Sequence, residues 1–341
     1  MDIRWISTTP ESRWEQRTAA PSDSAPNLEL TGAVAQSIEG FGGCFNEMGW
    51  DALAVLDQAQ REEALKALFG PGEGCRFTMG RVPIGASDFA LKWYSHNETD
   101  GDYAMEHFSI ARDREYLLPY IKAAMEHRPE LWLFASPWSP PTWMKTRRVF
   151  NYGVLRWEPE VLEALALYFL KFVQSYRAEG VNVRQIHVQN EPSADQKFPS
   201  CRWTGARLRD FIRDYLGPLF ESEQPDCKPW LGTINGGDYD EFVLTALADE
   251  KARGYIGGVG LQWGGKGIIQ RAHAAWPSIP LMQTENECGD GRNTWDYAHY
   301  VFTLLWHYLS NGEDCGLWFL CTLCQKELQG LRLFFRIVTP K

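Results

Sequence analysis

The feature that most restricts the fold of this chain is a regular alternation. Short apolar runs of strand length recur, at residues 38–46, 77–85, 131–136, 185–190, 229–235, 256–263, 280–285 and 315–320. Between them lie longer segments, such as 51–68, 104–126, 156–179, 204–222 and 293–311, with apolar residues at i, i+3, i+4 and i+7. Eight strand–helix units over about 280 residues make the count of an α/β (β/α)8 TIM barrel. A doubly wound open sheet would use the same alternation, but no GxGxxG and no phosphate loop follows the first strand. The barrel is therefore expected over 37–320. Residues 1–36, polar and proline-bearing, read as an amino-terminal arm with short extended stretches around 3–7 and 28–30.

A barrel keeps its chemistry at the carboxyl ends of its strands. The stretch Ile186-His187-Val188-Gln189-Asn190-Glu191-Pro192 stops an apolar run at an amide, a carboxylate and a proline. Proline biases the residue before it toward extended backbone, so Glu191 is expected to close the fourth strand, rigidly held. The seventh strand ends Thr284-Glu285-Asn286-Glu287-Cys288. Strands four and seven lie on roughly opposite sides of a barrel mouth, which sets Glu191 and Glu285 face to face. Two carboxylates across a cleft, one kept protonated and one ionised, are what retaining glycoside hydrolysis requires. Asn190 is placed to bond the sugar 2-hydroxyl. His187 points the other way along the strand and reads as a core histidine. Arg81, on a barrel strand, reads as a partner that orients a neighbouring carboxylate.

Composition narrows the ligand. Among 341 residues are 15 tryptophans, several in strand-end or loop stretches (Trp138, Trp143, Trp203, Trp263), where they suit a groove that stacks on flat ligand faces such as sugar rings. The net charge of −10 argues against nucleic acid or an anionic membrane as partner. No apolar run approaches the roughly 18 residues of a transmembrane segment, and the amino terminus lacks the apolar core of a signal peptide, so a cytoplasmic protein is expected. Eight scattered cysteines suggest reduced thiols; a single CxxC at Cys321 and Cys324 is weak ground for zinc. No cofactor is expected, and a metal site built on Glu47, Asp88, Glu285 and Glu287 lacks histidines at ligand spacing.

Five stretches, GFGGCFNEM, RVPIGASDFA, SPWSPPTWMKT, VQNEP and TENECGDG, occur in one order over about residues 38–318. In these the chain resembles glycoside hydrolase family 30, β-glycosidases that include glucosylceramidase and endo-β-1,6-glucanases. The resemblance implies Glu191 as acid/base, Asn190 as its 2-hydroxyl partner and Glu285, directly after Thr284, as nucleophile; Glu287 is the competing choice, because the family's motif often has a cysteine two residues after the nucleophile and Cys288 stands three after Glu285 and one after Glu287. It also implies that Trp138 and Trp318 shape the subsite of the cleaved sugar and that Glu47 binds sugar hydroxyls. Trp263 joins the substrate-binding set, although Gln262-Trp263-Gly264 departs from the His-Trp-Tyr of glucosylceramidase. The implied reaction is retaining hydrolysis of a β-glucosidic or related linkage in a small glycoside or oligosaccharide. After Trp318 the resemblance ends: 321–341 reads as an aberrant tail, and about 80 to 100 residues of the family's β-sandwich are missing. The sequence alone thus leaves a second reading, a catalytically impaired carbohydrate-binding remnant.

Overall fold

The computed structural model describes residues 4–12, 14–18, 23–24, 32, 36–72, 74–286, 294–311 and 315–316. Eight parallel strands form one sheet: β1 (Gly42–Cys44), β2 (Met79–Pro83), β3 (Trp132–Ser136), β4 (Asn182–His187), β5 (Lys228–Ile234), β6 (Val259–Gln262), β7 (Leu281–Glu285) and β8 (Cys315–Gly316). They are hydrogen-bonded in that order, every pair parallel, as a barrel sheet demands. Each of the eight apolar runs yields one strand. In the arm, Trp5–Ser7 pairs antiparallel with Glu15–Arg17; the extended stretch expected at 28–30 lies outside the described residues.

The helices form where capping chemistry permits. The pattern at 51–68 is two helices, Glu47–Ala54 and Gln58–Phe69, because Asp57 and Gln60 close a reciprocal capping box that starts a new helix. The pattern at 104–126 is helical only over Leu117–His127. Upstream of it, the buried carboxylate of Asp113 accepts the hydroxyls of Tyr94 and Tyr176, each at 2.7 Å, and holds the chain in turns. The long helix Pro159–Ala178 opens on proline and buries Leu162, Leu165, Phe169, Phe172 and Tyr176 against the sheet. Among the described residues no helix is long and apolar enough to cross a membrane.

Two apolar layers result. The larger lies between sheet and helices; the smaller fills the barrel interior with Met79, Trp132, Phe134, Trp230 and Met282. His187 belongs to this interior floor, its ring stacked on Trp230 at 5.2 Å with its Nε2 at 3.1 Å from the amide oxygen of Gln185. Burial and the charge of Arg81 hold it well below the usual histidine pKa, so it is a neutral packing element. Above the floor, toward the carboxyl ends of the strands, the interior turns polar.

Candidate active site

That change is made by register shifts. Along a strand, side chains alternate between faces, so with Trp230 inside strict alternation would put both Leu231 and Thr233 outside. Between β5 and β6 the pairing jumps from Leu231↔Val259 to Ile234↔Leu261, an extra residue on β5, with Gly232 at φ +121. Between β6 and β7 it jumps from Leu261↔Gln283 to Gln262↔Glu285, an extra residue on β7. Bulges re-aim side chains. The second turns Glu285 to the same interior as Met282, three positions earlier, where strict alternation would have turned it away.

At the centre stands Arg81 of β2, fully buried. Its Nη1 donates to Glu285 Oε2 at 2.6 Å, its Nη2 to Asn190 Oδ1 at 2.6 Å, and both Nε and Nη2 to Ser136 Oγ at 3.0 and 2.8 Å. The guanidinium lies 4.4 Å from the ring centroid of Trp138, which is 5% exposed. Gln262 Nε2 donates to Asn190 Oδ1, Thr233 Oγ1 and Glu285 Oε2 at 2.9, 3.1 and 3.1 Å. Thr233 Oγ1 donates to Asn190 Oδ1 at 3.1 Å. Two consequences follow. The Asn190 amide is fixed with its oxygen inward and its Nδ2 unbonded, and Glu285 has its Oε2 saturated while Oε1 makes no hydrogen bond among the described residues.

Glu191 departs from the extended strand end expected of it. The strand closes at His187, and Glu191 adopts φ +48, in the left-handed region. The cause is its neighbours: the Asn190 N–H donates to Pro137 O at 2.8 Å and the Glu191 N–H to Thr233 O at 3.1 Å, tying successive residues to strands on either side, while Ala194 N–H turns back to Glu191 O at 2.8 Å. Such a conformation costs a non-glycine residue about 1–3 kcal/mol. Partial burial, then the charges of Glu285 and Asp88, push the Glu191 carboxyl up to about 7, against the opposing pull of Arg81. Two carboxylates thus occupy unlike surroundings, one held by donors and one repelled.

Cys44, at the end of β1, lies in the same field: burial pushes its thiol up to about 12, Arg81 opposing, Glu285 and Asp88 adding. Glu47 is not brought to the cluster. Its carboxylate is buried, takes a bidentate pair from Arg112 at 2.7 and 2.9 Å and accepts the Leu91 N–H at 2.7 Å. Through these bonds it clamps the loop carrying Asp88. Trp263 stands at the rim, 36% exposed, with Lys266 Nζ 5.8 Å from its ring. Trp318 and Glu287 lie outside the described residues. Thr233 and Ser136 are members of the cluster that sequence reasoning missed, and Gln262, read only as a departure at its strand end, is a third given no role; the one signal for Thr233 was the glycine before it in a strand.

The chain covers 84% of itself in a match, 32% identical, to a Caenorhabditis elegans protein carrying the provisional name glucosylceramidase 3. It is 27% identical to lysosomal acid glucosylceramidase of Mus musculus over 83% of this chain. In these matches it spans 59% and 60% of the relatives' own lengths. The crystal structure of SrfJ from Salmonella typhimurium superposes with TM-score 0.81 at 26% identity, over 92% of this chain and 74% of that one. The sequence profile of the glycosyl hydrolase family 30 TIM-barrel domain matches residues 38–303, most of the barrel just described: the chain belongs to glycosyl hydrolase family 30.

Proposed function

We propose that the chain is a retaining β-glycosidase acting on β-glucosides, with Glu285 as nucleophile and Glu191 as acid/base. The observation that carries this reading is the contrast between the two carboxylates. Glu285, fixed through Oε2 by Arg81 and Gln262, keeps Oε1 for attack. Glu191, raised to about 7, keeps a substantial protonated fraction up to neutral pH. Glu285 Oε1 bonds to the anomeric carbon as the bond from that carbon to the leaving oxygen breaks, and the Glu191 proton passes to that oxygen. Glu191, now ionised, takes a proton from water, the water oxygen bonds to the anomeric carbon, and Glu285 departs. Asn190 Nδ2 donates to the sugar 2-hydroxyl, Trp138 shapes the glycone pocket beside Arg81, and Trp263 lies at its rim. Glucose as the glycone follows the names of the relatives, glucosylceramidase and the endo-1,6-β-D-glucanase of Neurospora crassa.

Hydrolysis of aryl β-glycosides (glucoside, xyloside, galactoside, fucoside) by the purified chain tests it. Turnover is expected with the glucoside foremost, lost in Glu285→Gln and reduced about 10²–10⁴-fold in Glu191→Gln, with azide restoring part of the latter as the β-glycosyl azide. Undiminished turnover in Glu285→Gln would sink the assignment.

A further inference from the structure

Away from Arg81, the loop after β3 holds a second buried cation. The Nζ of Lys145 donates to Ser139 Oγ at 3.2 Å, to Phe150 O at 2.8 Å and to Ser200 O at 2.7 Å. Its three N–H donors are thus met by neutral oxygens alone, and it forms no ion pair among the described residues. An ammonium buried without a carboxylate is costly. Burial pushes this one down to about 8, which still leaves it mostly charged at neutral pH. An apolar side chain of similar length would fill the space without that cost, so what the ammonium adds is its three bonds.

Those bonds join the two loops that carry the reacting groups. Ser139 follows Trp138, whose ring lies against Arg81. Ser200 belongs to the segment that returns to Glu191: the Trp203 N–H donates to Pro192 O at 2.7 Å and closes 192–203 into a loop. Around the ammonium the two loops are laced directly. The Ser200 N–H donates to Phe150 O at 3.0 Å, the Arg202 N–H to Gly153 O at 2.9 Å, the Gly153 N–H to Asp195 Oδ1 at 2.8 Å and the Tyr152 N–H to Ser200 Oγ at 3.0 Å. Among these contacts Lys145 alone reaches from the lacing back to the residue beside Trp138. Glu191, at φ +48, keeps a conformation that its surroundings must enforce. We propose that Lys145 is a positioning residue for proton transfer, locking the loop of Glu191 to the loop of Trp138 so that the acid stays within reach of the glycosidic oxygen of a sugar seated against Trp138. The inference rests on Glu191 being the acid.

The test compares kcat/KM for phenyl β-glucoside, whose leaving oxygen needs the acid's proton, with that for dinitrophenyl β-glucoside, whose phenolate departs without it. In Lys145→Met the loss is expected to be at least tenfold greater on the phenyl substrate, and Glu191→Gln should show the same split, larger still. A lysine with only a structural part would lower both substrates alike. An equal loss in Lys145→Met beside a split in Glu191→Gln therefore overturns the inference alone. If Lys145→Met does not melt cooperatively, Ser139→Ala decides in its place, because it removes the one side-chain acceptor and leaves the two carbonyls. A split of at least threefold is expected there, and an equal loss on both substrates overturns the inference. No split in Glu191→Gln would overturn the acid assignment and the positioning with it, and no turnover by the wild type would overturn the glycosidase reading as a whole.

Discussion

Glu191 is held where its charge is unwelcome, and that has a thermodynamic signature apart from catalysis. Its folded-state pKa rises from 4.5 to about 7, so the fold favours the neutral carboxyl. Stability from this group is complete below pH 4.5 and is lost as pH climbs through about 7. Glu191→Gln removes the loss. Its melting temperature should match wild type at pH 4 and exceed it at pH 8, where the variant is more stable by roughly 2 kcal/mol after allowance for solvent screening of a partly buried group. Equal melting at both pH values would contradict the shift. The same environment sets activity: kcat/KM should fall as pH rises past about 7, where the acid loses its proton. Asp88 is one of the charges that lift Glu191, so Asp88→Asn should move that alkaline limb to lower pH whatever it does to the rate. A limb that stays or moves upward would exclude the coupling.

At the scale of elements, the bulges govern what the strands present. Gly232, at φ +121, cannot accept a side chain cheaply: a Cβ there would sit 2.4 Å from Gly260 O. Gly232→Ala should cost about 1–3 kcal/mol in a denaturant titration and should cut turnover as well, because Thr233 would no longer reach Asn190. The loop between β2 and the helix Leu117–His127 depends on Glu47, whose carboxylate joins Leu91 to Arg112. Glu47→Ala should destabilise by about 2–3 kcal/mol, the cost of leaving buried partners unpaired, and should speed proteolysis within 88–112. Unchanged stability with a raised KM would return Glu47 to the sugar-binding role implied by resemblance. These elements also mark where sequence reasoning reaches its limit. Apolar periodicity located the eight strands of the parallel sheet, since burial on both faces writes itself as an apolar run, but not the exposed arm strand Glu15–Arg17. It could not count residues across a bulge, and so left Thr233 unseen and Gln262 without a role. It read 104–116 as helix because nothing local announces that Asp113 will be captured by Tyr94 and Tyr176, far apart in sequence.

For the whole molecule, the order of the strands brings together Arg81 of β2, Asn190 and Glu191 just after β4, and Glu285 of β7, and that gathering was legible from the residues at and near the strand ends. What the residue types withheld was which of them stands at the hub. Among the described residues no three of His, Cys, Asp and Glu are grouped to hold a metal ion, and the cation at the centre is Arg81. On the proposed two-carboxylate mechanism turnover should persist in EDTA, and a loss reversed by a divalent ion would disprove it. The hub has one further consequence. Arg81, Ser136, Asn190, Thr233, Gln262 and Glu285 are hydrogen-bonded to one another across six strands or strand ends, with Asn190 Oδ1 shared by three donors. Such a set is not free to drift one position at a time: each single replacement strands the partners of the rest, so lineages of this barrel can exchange these residues only jointly, and double-mutant cycles among them should be strongly non-additive.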